Sequence, residues 1–490
     1  MSAKLQTVHV RVNDAATGQP TPVRVRFTDA DGVYYAPLGR LTDFATGRNQ
    51  DVGGNVCLGG QHWAYVDDSF EIDLPPGTIH VAIHKGLEYR PLIQTIQLKP
   101  GKLALRLSIE RWIDLPALGW YSGDGRAHFV SPHAALLEAQ AEDIHVVNLL
   151  ATASEFNDLG NRTPVLANIL AFSGQRPCLE SANHMVVVNT HNTHPVLGSL
   201  GLLNCHRAVY PLAFGGPGDR NDWTLADWCD QCHRKNGLAV WTRARKVGDD
   251  GFLGEPLIDL LLGKIDAFEV DPSGAVPLWY DLLEAGIRIP LIGSSGKDSN
   301  AMGLGEMRTF ARLQQEKPFS YQTWIEAVRA GCTFITNGPV LLFTVNDQDP
   351  GVVLALQKSG ETVRIHAEVK NHTPAQRLEI VLNGAVVETT DQATIDVELP
   401  IQEGGWLAAR YCAASDTLAC PNVSAHTSPI YVQFENTPVR RSPQAVRKLL
   451  LQIDRLEAWV NQIANVPSDH ARTRFLSLAR AARGVLQAYS

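Results

Sequence analysis

The residues of this sequence that could most readily do chemistry are histidines with cationic or hydroxyl-bearing neighbours. Four such histidines are considered: His128, His133, His191 and His194. Imidazole serves as a general base or as a metal ligand. His128 or His191 could take the role of base while Arg126 stabilises an oxyanion, with a structural role as the alternative for each histidine. The His191-x-x-His194 spacing is a weak metal signal, because a loop at this spacing does not by itself aim both rings inward.

Two further motifs are weaker evidence for a function. A Gly/Ser-rich turn after Ile292 ends in Gly296-Lys297; it departs from the Walker pattern, although its backbone N–H groups could receive an anion. The run Cys229-x-x-Cys232-His233 matches the haem c attachment pattern. It falls on a predicted helix without an export signal, so we expect no haem there.

Apolar periodicity divides the chain into four regions. Residues 1–113 show short alternating runs separated by turn residues, which predicts a β-sandwich. Residues 114–342 alternate buried-strand patterns with helical ones, which indicates a parallel, barrel-like α/β domain. Residues 343–435 return to strand alternation, again favouring a β-sandwich, and residues 436–490 are helical. The long polar segment from Leu38 to Gly60 is predicted as a surface loop that is either mobile or leans over a neighbouring site.

The middle region positions the candidate residues. Its predicted strands are residues 144–151, 185–188, 238–241, 265–270, 289–292, 307–313 and 333–335. Its predicted helices are residues 132–141, 224–236 and 320–330, bounded by cap residues such as Ser131 and Gly331. Since active sites of such barrels lie at the carboxyl ends of the strands, the residues that follow these runs are the ones to inspect.

Six stretches carry a resemblance that extends over nearly the whole chain. They are residues 120–129 (WYSGDGRAHF), 141–150 (AEDIHVVNLL), 198–204 (GSLGLLN), 262–270 (LGKIDAFEV), 333–339 (TFITNGP) and 425–431 (AHTSPIY). Together they resemble the CehA/McbA branch of the PHP-type barrel hydrolases, metalloenzymes that cleave amides and carbamates. The resemblance implies an α/β PHP-like distorted (β/α) barrel flanked by N- and C-terminal β-sandwich domains, with a C-terminal helical tail. In active members it also implies a divalent metal such as Zn, Mn or Fe.

The positions that hold the metal in this family differ here. Arg126 stands where the first histidine of the entry motif is expected, and Ser199 replaces the histidine of the Gly-His segment. His191 ends Asn-Thr-His where the family has Asn-Glu-Glu, and Arg243 follows Trp-Thr where it has Trp-Ala-His. Asp298 is the remnant of a late aspartate. Because arginine stays protonated and has no lone pair to give, we predict no metal; a relocated site would use the set His128, His191, His194 and Asp298.

Fixed cations in an old metal pocket favour a small anion such as a carboxylate, phosphate or sulfate. The resemblance puts Arg126 and Arg243 in this pocket, and Arg245, Lys246 and Lys297 are near in sequence. The alternative is that each arginine forms an internal ion pair and fills an inactive site. The acids considered as partners are Asp124, Asp266, Glu269 and Asp298. We place the candidate catalytic residues at Asp124, Arg126, His128 and His191. The candidate substrate-binding residues are Arg243, Lys297, Asn300 and Arg308.

Composition narrows the class of protein. The net charge of -8 over 490 residues is mild and scattered, which argues against nucleic-acid binding. No apolar run approaches a membrane span, so we expect no membrane partner. The first residues pass directly into a strand pattern without a signal-peptide pattern, and the eight cysteines are dispersed; both predict a cytoplasmic protein with reduced thiols.

Three functions stay open. The first is a non-hydrolytic or anion-binding protein with a cationic pocket and no cofactor. The second is an active metal-dependent hydrolase of amide, carbamate or ester bonds with a rearranged site, so whether the chain is an enzyme is undecided. The third is a scaffold that binds a protein partner. The helical tail packs on its own chain or forms a homo-oligomer.

Overall fold

The computed structural model describes residues 5–153, 168–194, 197–214, 222–244, 253–270, 276–314, 317–371, 376–413, 423–435, 437, 440–462 and 468–488. Within these ranges the chain is mostly β, with 29 strands in several sheets and seven α-helices. No helix in this part of the chain combines the length and apolar character needed to cross a membrane.

The N-terminal strands are β1 Gln6–Asp14, β2 Val23–Asp29, β3 Tyr34–Tyr35, β4 Asn55–Leu58, β5 Gln61–Val66, β6 Ser69–Leu74, β7 Gly77–His84, β8 Tyr89–Arg90, β9 Leu92–Leu98 and β10 Ala104–Arg111. They form two sheets, of order β6-β1-β10-β8 and β4-β5-β2-β7-β9, with β3 beside β2. Alternate residues such as Val8, Val10 and Val25 point into one shared apolar cluster. The alternation in the sequence therefore corresponds to one buried face on each sheet.

The middle strands are β11 Trp120–Ala127, β12 Val146–Thr152, β13 Leu179–Ser181, β14 His184–His194, β15 Gly198–Leu203, β16 Leu238–Thr242, β17 Ala267–Val270, β18 Leu291–Gly293, β19 Arg308–Arg312 and β20 Thr333–Thr336. The helices between them are α1 Pro132–Ala141, α2 Leu225–Arg234, α3 Pro256–Leu261, α4 Val276–Glu284 and α5 Tyr321–Ala330. Side-chain caps begin α1 at Ser131 and α5 at Ser320, and Gly331 ends α5 in the left-handed conformation.

The middle sheet is mixed, which corrects the expectation of a parallel domain. Strands β11, β12 and β14 are parallel, as are β16, β17 and β18. Strand β15 is antiparallel to both of its neighbours, and β19 is antiparallel to β11 and β20. In the order of hydrogen-bonded strands, β18 is the first strand of the sheet. However, the hydroxyl groups of Thr309 and Thr333 hydrogen-bond the backbone of Gly293 and Leu291, so β18 also lies against β19 and β20. The sheet is therefore strongly curved without a closed ladder among the described strands.

The C-terminal strands are β21 Val340–Val345, β22 Val353–Leu356, β23 Glu361–Lys370, β24 Gln376–Leu382, β25 Ala385–Thr390, β26 Thr394–Ile401, β27 Gly405–Ala413, β28 Val423–Thr427 and β29 Ile430–Phe434. Strands β21, β23 and β26 form a separate sheet, whereas β28 pairs with β20 and so continues the middle sheet. A hairpin at Asn383-Gly384 joins β24 to β25. The domain boundaries after residues 113, 342 and 435 remain predictions.

The helical tail consists of α6 Pro443–Gln462 and α7 Asp469–Gln487. Its apolar face, which includes Leu449, Ile453 and Phe475, is buried in the same cluster as Trp279 of α4 and Ile258 of α3. The face that we considered for homo-oligomer formation is thus covered by the chain itself.

Candidate functional site

A small cavity lies at the carboxyl ends of the parallel strands. It has a volume of about 80 Å³. Its lining consists of Arg48, Asn49, His128, Phe129, Thr152, Ala153, His191, Arg243 and Asp298. His191 lies within β14, opposite the last residue of β12. The other lining residues of the middle region end β12 or follow β11, β12, β16 and β18, and two residues come from the N-terminal region. Because parallel strands end at the same edge of a sheet, residues far apart in sequence meet here, as the barrel geometry predicts.

Four of the predicted site residues line this one cavity: His128, His191, Arg243 and Asp298. Their individual roles stay predictions, since the lining shows proximity and not chemistry. The other predicted residues contact the cavity only indirectly or lie elsewhere, and each of them has partners that explain its position.

Arg126 is held by Glu269 and is not exposed to the cavity. Its Nε lies 2.8 Å from Glu269 Oε2 and its Nη2 lies 2.7 Å from Oε1, with both side chains almost fully buried. Gly296, with φ of 66°, packs its backbone on the guanidinium, and a Cβ there would lie 2.9 Å from Nη2. The core therefore accommodates the arginine side chain. Of the acids considered as internal partners, Glu269 is the one whose side chain binds the guanidinium.

His128 is buried between Arg126 and the backbone of β12. Its Nδ1 lies 3.0 Å from the carbonyl oxygen of Leu150, which can only accept, so Nδ1 carries the proton. Its Nε2 then accepts from Arg126 Nη1 at 3.4 Å. Burial, and then the charges of Arg126 and Arg243, hold the pKa of His128 well below its usual value. The imidazole is neutral at physiological pH and a poor proton acceptor.

His191 is coupled to a hydroxyl pair. Its Nε2 lies 3.0 Å from Thr242 Oγ1, which is 3.0 Å from Ser199 Oγ. Burial, followed by the influence of His128 and Arg243, lowers the pKa of His191 well below the ordinary value. The ring centroids of His128 and His191 are 5.1 Å apart. Both rings are thus fixed and uncharged on one wall of the cavity.

Three lining residues have a left-handed backbone that only glycine adopts easily. The φ angles are 59° at Asn49, 62° at Phe129 and 51° at Arg243. Such a conformation costs about 1–3 kcal/mol at a residue with a Cβ, and it concentrates at functional sites. At Arg243 it follows the last residue of β16, and the backbone N–H of Arg243 approaches Glu269 Oε1 at 3.5 Å. The strain turns the chain so that the Arg243 side chain lines the cavity.

A loop of the N-terminal region covers the cavity. Asn300, which we assigned to substrate, instead fastens this loop: its Nδ2 donates to the carbonyls of Ala45 and Gln50, and its Oδ1 accepts from Val52. The backbone N–H of Asn49 donates to the Asp298 carbonyl at 2.8 Å. Arg48 is carried above the cavity with its Nε 3.5 Å from Asp298 Oδ2. Of the two alternatives for this loop, the structure shows the one that leans over a site.

Asp124, which we assigned as catalytic, lies outside the cavity lining, and that role stays a prediction. Its carboxylate accepts from the backbone N–H of Arg126, Ser295 and Gly305, and from the Ser295 hydroxyl at 2.5 Å. Burial raises the pKa of Asp124 and these hydrogen bonds oppose the rise. Three of these bonds come from Ser295 and Gly305 in the segment between β18 and β19, so the side chain positions that segment against β11.

Three more predicted residues lie outside the cavity lining, and their assigned roles stay predictions. Lys297 is fully buried with its Nζ 2.9 Å from Asp51 and 3.6 Å from Glu138, so it contacts the N-terminal loop and α1. Arg308 donates to the carbonyls of Gly305 and Glu142, again inside the core. His194 lies outside the cavity lining, because residues three apart on β14 point to opposite faces of the strand. Arg245 and Lys246 lie outside the described residues.

The side chains present do not fit the divalent metal that the resemblance implies. Within the described ranges, no group of three or more His, Cys, Asp or Glu side chains is arranged to hold an ion. A ligand needs a lone pair aimed at the metal. The one on His128 Nε2 faces the Arg126 guanidinium, and Nε2 of His191 contacts Thr242.

Neither a scan against models of known protein families nor a search of curated proteins finds a match for this chain. Any relationship to a family therefore rests on the six sequence stretches and on the geometry of the cavity.

Sequence reasoning did not assign Arg48, Asn49, Phe129, Thr152 and Ala153 as lining residues. Arg48 and Asn49 had a signal, namely the long polar loop between β3 and β4. Thr152 ends an apolar run and has the same register as His191 on the neighbouring strand. Inspecting all residues at the strand ends, and not only the charged residues, would have identified Thr152.

Proposed function

We propose that this chain is a divergent relative of the PHP-type hydrolases, with a PHP-like distorted barrel in its middle region, that binds a small anion in place of a metal. The observation that carries this proposal is the joint lining of one small cavity by Arg48 and Arg243, with Asp298 as the one acid among the described lining residues. The nearby histidines are uncharged, and Arg126 is neutralised by Glu269.

The size and chemistry of the cavity favour a single head group. A volume of about 80 Å³ accommodates a few waters or one carboxylate- or phosphate-sized group, well below the ~300–1,000 Å³ of typical drug-sized sites. A guanidinium has five donors, so Arg243 can hold an anion while it keeps other hydrogen bonds. At about 4 Å and an effective dielectric of about 20, one arginine attracts a monoanion by about 4 kcal/mol before the cost of desolvation.

The other two functions have less support. Metal-dependent hydrolysis requires several side-chain ligands around one ion, and the described residues contain no group of three or more His, Cys, Asp or Glu arranged for it. It predicts turnover of esters, amides or carbamates that requires Zn, Mn or Fe and is lost in His128→Ala. For a protein-binding scaffold, no surface among the described residues gives particular support.

Calorimetric titration of the whole chain with acetate, inorganic phosphate and sulfate, at fixed ionic strength, tests the proposal. We expect saturable binding of at least one anion, weakened more than tenfold by Arg243→Gln. Arg364→Gln is the matched control, because Arg364 is an exposed strand arginine of β23 that pairs with Asp347 away from the cavity. Equal binding by wild type and Arg243→Gln, or one tightly held metal ion per chain in elemental analysis, would contradict the proposal.

A further inference from the structure

A pair of buried thiols lies at the opposite end of β15 from Ser199. Cys205 follows the last residue of β15 by two positions, and Cys232 lies in the last turn of α2. The thiol of Cys205 contacts that of Cys232 with the two Sγ atoms 3.4 Å apart. Both side chains are buried. This contact involves the second cysteine of the Cys229-x-x-Cys232-His233 run, but its partner comes from outside that run.

The backbones on either side of the two thiols are fastened together. The N–H of His206 donates to the carbonyl of Lys235 at 3.1 Å, and the Asn204 side chain donates to the carbonyl of Asn236 at 3.1 Å. These bonds flank Cys205 on both sides. These two bonds therefore hold the chain segments that carry the two sulfurs close together.

Gly237 keeps the space between the thiols clear. A Cβ at this position would lie 2.4 Å from Cys205 Sγ and 2.5 Å from Cys232 Sγ, so any side chain would force the sulfurs aside. The N–H of Gly237 also donates to the carbonyl of Cys232 at 2.9 Å. His233, the third member of the haem-like run, turns away and contacts Asp266 at 2.9 Å. The surroundings leave the sulfurs in contact and lead His233 elsewhere.

We propose that Cys205 and Cys232 are a redox-sensitive pair that forms an intramolecular disulfide when the protein meets a peroxide. One thiol takes an oxygen from hydrogen peroxide and becomes a sulfenic acid, with release of water. The sulfur of the other thiol then displaces the hydroxyl group, which leaves with that thiol's proton as a second water and forms the S–S bond. Two thiols are oxidised by two electrons and one peroxide is reduced. The approach from 3.4 Å to the ~2.05 Å of a disulfide needs only a local adjustment.

The crosslink would tie the end of β15 to the end of α2. It is independent of the anion cavity, which lies at the other end of β15 and β16, so failure of either proposal leaves the other intact. Because both thiols are buried, a small oxidant is needed, and the half-buried Cys57 and Cys178 serve as internal references for nonspecific oxidation.

The test is peptide mapping of the whole chain after treatment with hydrogen peroxide, alkylation of the remaining thiols and non-reducing digestion. Cleavage before Asp230 separates Cys229 from Cys232, and cleavage after Glu180 separates Cys178 from Cys205. We expect a linked peptide that contains Cys205 and Cys232, two fewer alkylated thiols of the eight, and a mass lower by two hydrogens. Dithiothreitol should restore all of these.

Cys229→Ser is the matched control, because Cys229 is one helical turn from Cys232 and equally buried. This variant should keep the linked peptide, whereas Cys205→Ser should lose it. If Cys205→Ser does not fold, the wild-type map and Cys229→Ser still decide. A link between Cys229 and Cys232, or Cys205 and Cys232 remaining thiols while Cys57 and Cys178 are oxidised, would overturn the proposal.

Discussion

The pair formed by Arg126 and Glu269 is the strongest test of how this site is built. Both side chains are almost fully buried, and two nitrogens of Arg126 contact both oxygens of Glu269 within 2.7–3.1 Å. Removing one member of such a pair leaves an uncompensated buried charge, at a cost of about 3–5 kcal/mol in the free energy of unfolding. Arg126→Met and Glu269→Leu should each destabilise the chain by roughly this amount.

Removing both members should cost far less than the sum. Replacing a buried ion pair by apolar side chains of similar volume is often neutral, so Arg126→Met with Glu269→Leu should lie within about 2 kcal/mol of wild type. The coupling free energy of the cycle should then be several kcal/mol. Hydrogen exchange of peptides that cover β11 and β17 measures it where the two residues lie, alongside urea unfolding followed by tryptophan fluorescence.

An exposed pair gives the matched comparison. Arg364 and Asp347 form an ion pair with most of both side chains in solvent, and its coupling should be under about 1 kcal/mol. Additive effects of Arg126→Met and Glu269→Leu, or single changes that cost less than about 1 kcal/mol, would refute the reasoning that this arginine is a paired core residue.

Three more predictions follow from buried groups. Burial lowers the pKa of His145 and of His426 to about 3, so the unfolded state takes up their protons first as the pH falls below about 6.5. Stability should fall by up to about 2 kcal/mol for each between pH 6.5 and 5, measured by urea unfolding; a flat profile would contradict this. Asn300→Ala should speed amide exchange in residues 45–52 without affecting peptides of β23, and unchanged exchange would refute the fastening role. Lys297→Met should cost about 3–5 kcal/mol in unfolding free energy, because it leaves two buried carboxylates unpaired; a cost below about 1 kcal/mol would argue against the pairing.

The elements that the sequence predicts well are those whose signals are local. The limits of α1 follow from Ser131 and Pro132, and the end of α5 follows from Gly331. The strands around Val8 and Val25 follow from alternation with a period of two. Strand β15 was not predicted, and the antiparallel direction of β19 was missed, because periodicity reports which residues are buried and not which strand lies beside them.

Site residues were predictable only where their position at the end of a strand determines which residues surround them. His128 and Arg243 follow apolar runs, and both line the cavity. Lys297 follows such a run too, but its ammonium group pairs with Asp51 and Glu138. The local sequence does not indicate that its partners come from another region. A residue's place along a strand is thus a local property, whereas the pairing that decides its function is a long-range one.

Arg126 and Arg243, the two arginines that the resemblance puts at metal positions, illustrate this difference. The sequence predicts the same effect for both, namely a fixed cation in a pocket built for a metal. The structure separates them, since Glu269 neutralises Arg126 inside the core while Arg243 lines the cavity beside Arg48. In the structure the Arg126 guanidinium occupies the Nε2 side of His128, whereas under the proposed function Arg243 would attract the anion. The proposal therefore gives the two arginines different roles, and a variant of Arg243 alone should weaken anion binding without creating a metal site.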